Sequence, residues 1–274
     1  MKYADLHIHS SYSDGYLSPE GIIDLAKKQG IKCISITDHD TIASQYITKN
    51  KVNGISIIPG IELSTEYKEM ELHILGYFID IENDRLNETV ERLRKSRIDR
   101  TNEILNKLKK ININIDIDDL NMSEIASIGR GNIANAIVEK GYSENYKDAF
   151  TNYLMQGKVA YVKGEKLSLR ETLNVINESG GIPVLAHPGK IYRRLELENI
   201  IKEFKCYGLK GIEVYHPSHS KSQINTFYNL SKKYKLLITG GSDFHGANNC
   251  RLSLASQGID QLLLDKIISY KNKL

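Results

Sequence analysis

The chain has 274 residues, 41% of them hydrophobic, with 37 Lys and Arg against 34 Asp and Glu, so its net charge is 37 − 34 = +3. That hydrophobic fraction can bury a sizeable core and excludes an intrinsically disordered chain. The even charge balance excludes a general polyanion-binding surface, so any nucleic-acid contact has to come from a local patch. At this length one large domain is expected, or one domain carrying an inserted piece. Cys33, Cys206 and Cys250 cannot pair completely, and none sits in a C-x-x-C. A disulfide framework is thereby disfavoured, and a cytoplasmic protein is expected. The opening MKYADLHIHS lacks the apolar run of a signal peptide. No stretch approaches the ~18 apolar residues of a membrane span. No feature marks an oligomer interface, so a monomer is expected.

In chain order, Lys2–Ile8 reads as a strand ending in a polar cluster. Ser18-Pro19-Glu20 then starts a helix with a capping hydroxyl, Pro in the first turn and an acid beside it. Cys33–Thr37, Ile55–Ile58 and Leu72–Phe78 read as further strands, with a short helix from Thr41. The pattern changes near Ile81. Leu86, Val90, Leu93, Ile104, Leu108 and Ile111 recur at helical spacing and predict a long amphipathic helix over 84–110. Helical patterns at Asn132–Lys140 and Tyr146–Met155 follow, and only the weak alternation Ile111–Ile117 resembles a strand. Residues 82–165 are therefore expected to form a helical insert. The β/α alternation resumes with helix Leu169–Ser179, strands at Ile182–Ala186, Gly211–Tyr215 and Leu236–Thr239, a helix at Gln223–Tyr234 and a closing helix at Asp260–Lys271. Strands alternating with helices imply an α/β protein with a parallel sheet. Seven strands around an insert suggest a (β/α) barrel built from 1–81 and 166–274.

The histidines fall at the predicted strand ends. The first strand gives His7 and His9 with Asp14 beyond, and the second gives His39 within Asp38-His39-Asp40. Glu62, His73 and His187 follow or lie in the next strands, and Asp243 and His245 follow the last. Active sites of parallel barrels gather residues from several strand ends, so residues remote in sequence converge. Imidazole and carboxylate together suit Zn, Mn or Fe. Nine such groups exceed one mononuclear site and point to two or three ions sharing a carboxylate. Asp38 and Asp40 read as partners that hold the tautomer of His39 or a neighbour. Gly240-Gly241 reads as backbone passing close to the ions.

The ordered series DLHIHS…SDG, ITDHD, PGIE, His73, AHP and GGSDFHG resembles the PHP (polymerase and histidinol phosphatase) family of metal-dependent phosphoesterases over nearly the whole chain. Gly129-Arg130, followed by Ala149-Phe150 and Tyr153-Leu154, resembles its stand-alone nucleotide-directed branch. That branch includes 3′,5′-nucleoside bisphosphate phosphatases and short-RNA 5′–3′ exonucleases. The resemblance implies a distorted (β/α)7 barrel and three divalent ions, Mn, Fe or Zn. It assigns His7, His9, Glu62 and Asp243 to one ion. It assigns Glu62, His73 and His187 to a second, and Asp14, His39 and His245 to a third. The branch's G-R-P-H-I-A reads here Gly129-Arg130-Gly131-Asn132-Ile133-Ala134. Asn132 can donate a hydrogen bond but carries neither proton nor charge, so weaker phosphate binding or a different substrate is expected.

The expected reaction is hydrolysis of a nucleotide phosphate ester by a metal-bridging hydroxide. Asp14, Arg130 and His219 are the catalytic candidates, His219 as a general acid. Arg130, Asn132, Lys190, His216 and His219 are candidates for the substrate phosphate, with Arg193 or Arg194 beside them. Tyr12, Tyr67 or Tyr77 could stack on a base. Two other readings remain at this point: a phosphatase for a small metabolite such as histidinol phosphate, and a non-catalytic metal-binding regulatory module.

Overall fold

The structure, a computed structural model, describes residues 3–49, 54–120, 122–191, 197–246 and 253–274. The chain opens with β1 (Ala4–Ile8), buried throughout, then α1 (Pro19–Lys28). Ser18 caps α1 by accepting from the Gly21 N–H, and Glu20 adds negative charge to the first turn. There follow β2 (Cys33–Ile36), α2 (Ala43–Thr48), β3 (Ser56–Ile57), β4 (Gly60–Tyr67) and β5 (Met70–Tyr77). Next come α3 (Asp84–Lys109), α4 (Arg130–Glu139), α5 (Tyr146–Ala149), β6 (Leu167–Ser168), α6 (Leu169–Glu178) and β7 (Ile182–Leu185). The chain ends with α7 (Leu197–Cys206), β8 (Gly211–Tyr215), α8 (Lys221–Lys233), β9 (Leu237–Gly240) and α9 (Gln261–Lys271).

The described strands form two sheets, β1-β2-β3 and β6-β4-β5-β7-β8-β9. This corrects the expected closed barrel of parallel strands. The described ladders stay open, and the sheets are linked by isolated bridges, Ile8 with Phe244 and His39 with Glu62, and by a shared core of Leu6, Leu75 and Val184. The sheet is also mixed, because β5 runs antiparallel to both β4 and β7. The cause is a two-residue hairpin. Tyr67 pairs with Met70 across Lys68 and Glu69, which both hold positive φ, at 48° and 66°. Such turns usually carry Asn-Gly or Asp-Gly, so Lys-Glu gives no turn signal and β4 is hidden in the sequence.

Between β5 and β6 the described residues are helices, turns and loops. The alternation at Ile111–Ile117 forms no strand: Asn112 turns the chain at φ 63° and a 3₁₀ turn follows at Ile117–Leu120. Helix α3 serves two cores. Its Leu86 and Leu93 join the large cluster with Ile61, Ile74 and Phe204. Its Ile104, Leu105 and Leu108 pack instead with Ile133, Ile137 and Leu154. The start of α3 thus packs on the sheet side, and its end packs in the second cluster. No described helix is long and apolar enough to cross a membrane.

Phe204 is fully buried and meets the Tyr67 ring edge-on with centroids 5.0 Å apart. Phe204→Ala is expected to cost about 3–5 kcal/mol through lost burial and the cavity left behind. Urea denaturation of wild type and variant would measure it; a loss below about 1 kcal/mol would contradict this packing.

Candidate metal centre

All nine sequence-predicted ligands meet at one end of the strands. His7 is on β1 and His9 one residue beyond it, while Asp14 lies in the following turn. Glu62 and His73 are within β4 and β5, and His39, His187, Asp243 and His245 follow β2, β7 and β9. Glu62 is the hub. Its Oε2 lies 3.3 Å from His7 Nε2, 3.3 Å from His9 Nε2 and 3.0 Å from His39 Nδ1. Its Oε1 lies 2.9 Å from His73 Nδ1 and 3.0 Å from His187 Nε2. Asp243 Oδ1 is 3.2 Å from His9 Nε2 and 3.5 Å from His7 Nε2. Asp14 Oδ1 is 3.2 Å from His245 Nε2 and 3.7 Å from His9 Nδ1.

These atoms fall into overlapping groups able to share an ion: His9, Asp14, His39 and His245; His7, His9 and Asp243; His7, Glu62 and His187; His39, Glu62 and His73. His7, His9 and His39 therefore each fall in more than one group, unlike the ligand sets implied by the resemblance. A direct observation supports metal. His7 Nε2, both nitrogens of His9, Asp14 Oδ1, His39 Nδ1 and Glu62 Oε2 are buried without a hydrogen-bond partner. Each such atom costs roughly 1–3 kcal/mol unless something satisfies it. Nitrogen and oxygen donors without Cys suit Mn, Fe or Zn, and the residues fit such ions.

The electrostatics agree. Burial raises the Glu62 carboxyl, but the His39, His73 and His7 imidazoles hold it well below the usual carboxylate range. Asp243 is treated the same way, with His7 its strongest imidazole neighbour. Burial pushes His39 down to about 4, and burial with the nearby Lys190 pushes His187 down to about 3. Both imidazoles are thus kept neutral, with lone pairs to offer. His73 moves to about 9, because the Glu62 charge overrides its burial.

Four carboxylates outside the nine ligands hold the cluster from behind. Asp5 accepts from Ser242 Oγ at 2.6 Å and from the Ser242, Ala255 and His7 N–H groups. Its burial pushes the carboxyl up to about 6. Asp38 accepts from the Ser10 N–H and from the Ser10 and Ser13 hydroxyls. Asp40 accepts from the Ser64 N–H at 2.7 Å and pairs with Arg97 of α3. Asp38 and Asp40 therefore brace the loop after β1 and the helix α3, not the ring of His39. Glu213 on β8 accepts from His7 Nδ1 at 2.9 Å and from the His187 N–H at 2.7 Å. Asp5, Arg97 and Glu213 escape the sequence reading. The signal for Glu213 is a lone carboxylate inside the apolar strand Gly211–Tyr215.

The substrate candidates separate. Arg130 faces the pocket beside the cluster, which Asp14, His39, His73, Arg97, Arg100, Lys166, Tyr146 and Phe150 also line. Lys190 Nζ and His216 Nε2 reach Asp243 Oδ2 at 2.9 and 3.1 Å. Asn132 does not face that pocket. Its side chain donates to Ser13 O at 2.9 Å and accepts from the Gly129 N–H at 2.7 Å, so it caps α4 and ties it to the Asp14 loop. His219 is also turned away. Its Nδ1 donates to Val214 O at 2.9 Å and its Nε2 accepts from the Gly189 N–H at 3.2 Å, leaving no ring nitrogen for an acid role. Tyr67 and Tyr77 are buried, and Tyr77 donates to Leu6 O, so neither can stack on a base. Arg193 and Arg194 lie outside the described residues.

Comparison with known proteins follows the same line. Residues 5–155 match the PHP domain. A 5′–3′ exoribonuclease of Haemophilus influenzae is 33% identical over 252 residues, 89% of this chain and 90% of that protein. A 3′,5′-nucleoside bisphosphate phosphatase of Chromobacterium violaceum is 30% identical over 89% of this chain and 88% of its own length. Among solved structures, a Bifidobacterium adolescentis protein assigned as a metal-dependent phosphoesterase superposes with a TM-score of 0.87 at 26% identity. The match covers 97% of this chain and 95% of that one.

Gly241 fixes where His7 sits. A Cβ there would lie 2.4 Å from both the N and Cβ of His7, and one on Gly240 2.6 Å from Tyr215 Cβ, so the Gly pair admits the β1 and β8 backbones. Gly241→Ala is expected to displace His7, cost about 1–3 kcal/mol and reduce metal uptake. Thermal denaturation with metal analysis of the purified variant checks it; wild-type stability together with wild-type uptake would contradict the close approach.

Proposed function

The chain belongs to the PHP-domain family and is a metal-dependent hydrolase of phosphoric esters, and on that premise we propose that it acts on nucleotides. The proposed substrate is a nucleoside bisphosphate or a short oligonucleotide. The observation that carries this reading is the pocket in which Asp14, His39 and His73 share walls with Arg97, Arg100, Arg130 and Lys166. Arg97 is matched by Asp40 and Lys166 by Glu71 at 2.7 Å. Arg100 has no carboxylate within salt-bridge distance among the described residues and donates only to Val162 O. Burial and the neighbouring Arg130 and Arg97 push its guanidinium down to about 10. Like charges crowded in a half-buried wall favour an anion between them. A substrate with one phosphate at the cluster and a second along the pocket meets that need.

His7, His9, Asp14, His39, Glu62, His73, His187, Asp243 and His245 would hold the ions, which when bound would supply positive charge for phosphoryl oxygens and lower the pKa of water toward neutral. The protein's own groups orient the ester. Arg130, held against the Phe150 and Tyr161 rings at 5.3 and 5.8 Å, presents a planar fork to phosphoryl oxygens. Lys190 adds a cation beside Asp243. His216 accepts from the Ser218 N–H at Nδ1 and donates from Nε2 to Asp243 Oδ2 at 3.1 Å, so it orients Asp243. Phe150 and Tyr146, with ring centroids 5.9 Å apart, offer an aromatic wall to a base. In this reading residues 82–165 act as a cap that delivers Arg100 and Arg130 over the cluster. The protein works as a cytoplasmic monomer with three ions.

The relatives named for exoribonuclease and bisphosphate phosphatase activity support this reading. A small-metabolite phosphatase would have no use for Arg100. Turnover of a nucleoside 3′,5′-bisphosphate, a short RNA, a mononucleotide and histidinol phosphate by Mn-loaded protein is the deciding panel. One of the first two is expected to lead, and preference for histidinol phosphate would sink the proposal.

Arg130→Ala is expected to lower kcat/KM about 10–100-fold, the worth of a charged hydrogen bond to phosphate. Arg100→Ala should raise KM for the bisphosphate more than for the mononucleotide; equal effects on both would remove the second phosphate from the pocket. Chelation should abolish turnover and lower Tm, and Mn should restore both.

A further inference from the structure

We propose that Glu213 is a positioning residue that fixes the tautomer of His7 and the backbone of His187, so that both can ligate metal. The inference rests on the metal reading of the site. Glu213 is fully buried in the middle of β8, a strand that supplies none of the nine ligands. Its Oε1 lies 2.9 Å from His7 Nδ1. A carboxylate only accepts, so Nδ1 must carry the proton. The other nitrogen, Nε2, is then left with its lone pair. That atom is buried without a hydrogen-bond partner and lies 3.3 Å from Glu62 Oε2 and 3.5 Å from Asp243 Oδ1. The reverse tautomer would aim a proton into the cluster and bar His7 from ligating.

The second oxygen does a different task. Glu213 Oε2 accepts from the backbone N–H of His187 at 2.7 Å. His187 has φ 26°, a conformation that L residues rarely adopt and that its surroundings must hold. It brings His187 Nε2 to 3.0 Å from Glu62 Oε1. One carboxylate thus locks two ligands from two other strands, β1 and β7. Glu213, His7 and His216 also come close enough to share an ion. Both Glu213 oxygens are already committed to N–H donors, however, and this argues for orientation rather than ligation.

Glu213→Gln keeps the shape but cannot accept at both ends. Its oxygen can face either His7 or the His187 N–H, and its NH2 then opposes a donor at the other. The variant is expected to fold and to bind Zn about 10–100-fold more weakly than wild type. Titration with a metal-competing chelator would read this, with circular dichroism checking the fold. Long-range 1H–15N spectra of 15N-His-labelled, Zn-loaded wild type, assigned with a His7→Gln variant, give an independent readout. Protonation of His7 at Nδ1 is expected. Protonation at Nε2 would overturn the proposal even if the Gln variant failed to fold. Equal Zn affinity of folded wild type and Glu213→Gln would overturn it too. Wild type that takes up no Zn would instead overturn the metal reading, and this inference with it.

Discussion

Five imidazoles converge on the two oxygens of Glu62, from His7, His9, His39, His73 and His187. A carboxylate offers about four lone-pair directions, so it cannot satisfy them all as hydrogen-bond donors. Glu62 Oε2 and three of the nearby histidines keep buried atoms without a partner. Such an arrangement is unstable as a set of ordinary hydrogen bonds and sensible as a set of ligands around positive charge. Much of the fold serves to hold this convergence. The β4–β5 hairpin keeps Glu62 and His73 in register, and the bridge from His39 to Glu62 brings the two sheets together at that point.

Most of the remaining ligands sit just past strand ends, where backbone is free to bend. His187 and Asp243 hold positive φ there, at 26° and 53°, as does Asp40 beside His39, at 53°. Strain of that kind costs on the order of 1–3 kcal/mol per residue and persists only where surroundings enforce it. The enforcement is visible. Asp5 gathers the Ser242 loop, Asp38 gathers Ser10 and Ser13, and Glu213 holds His187. Buried carboxylates behind the ligands thus do the positioning that an apolar core cannot, since dispersion contacts have no direction.

Helices α3 and α4 couple to the cluster through two polar ties. Arg97 of α3 pairs with Asp40, next to His39. Asn132 of α4 reaches Ser13 O, next to Asp14. Asn132 thus serves as a structural tie in this chain. Arg130 and Arg100 are carried to the pocket by helices fastened in this way. A cationic wall without full internal pairing leaves electrostatic attraction for an anion, in a protein with almost no overall charge excess.

The sequence alone determined which residues meet: imidazoles and acids at successive strand ends have few ways to be satisfied except together. It also determined most helices, because their caps and 3.6-residue periodicity are local. Strand β4 was not legible, since the Lys68-Glu69 turn carries no glycine or asparagine to announce it. Nor were the roles of Asp38, Asn132 and His219, which depend on partners the sequence does not bring near: Ser10 for Asp38, Ser13 for Asn132, Gly189 for His219. Which nitrogen of His7 faces the cluster was decided by Glu213, 206 residues away in the chain. Ligand identity follows from side-chain chemistry, which a sequence states outright. Orientation follows from contacts across sheets, which exist only once the chain has closed on itself.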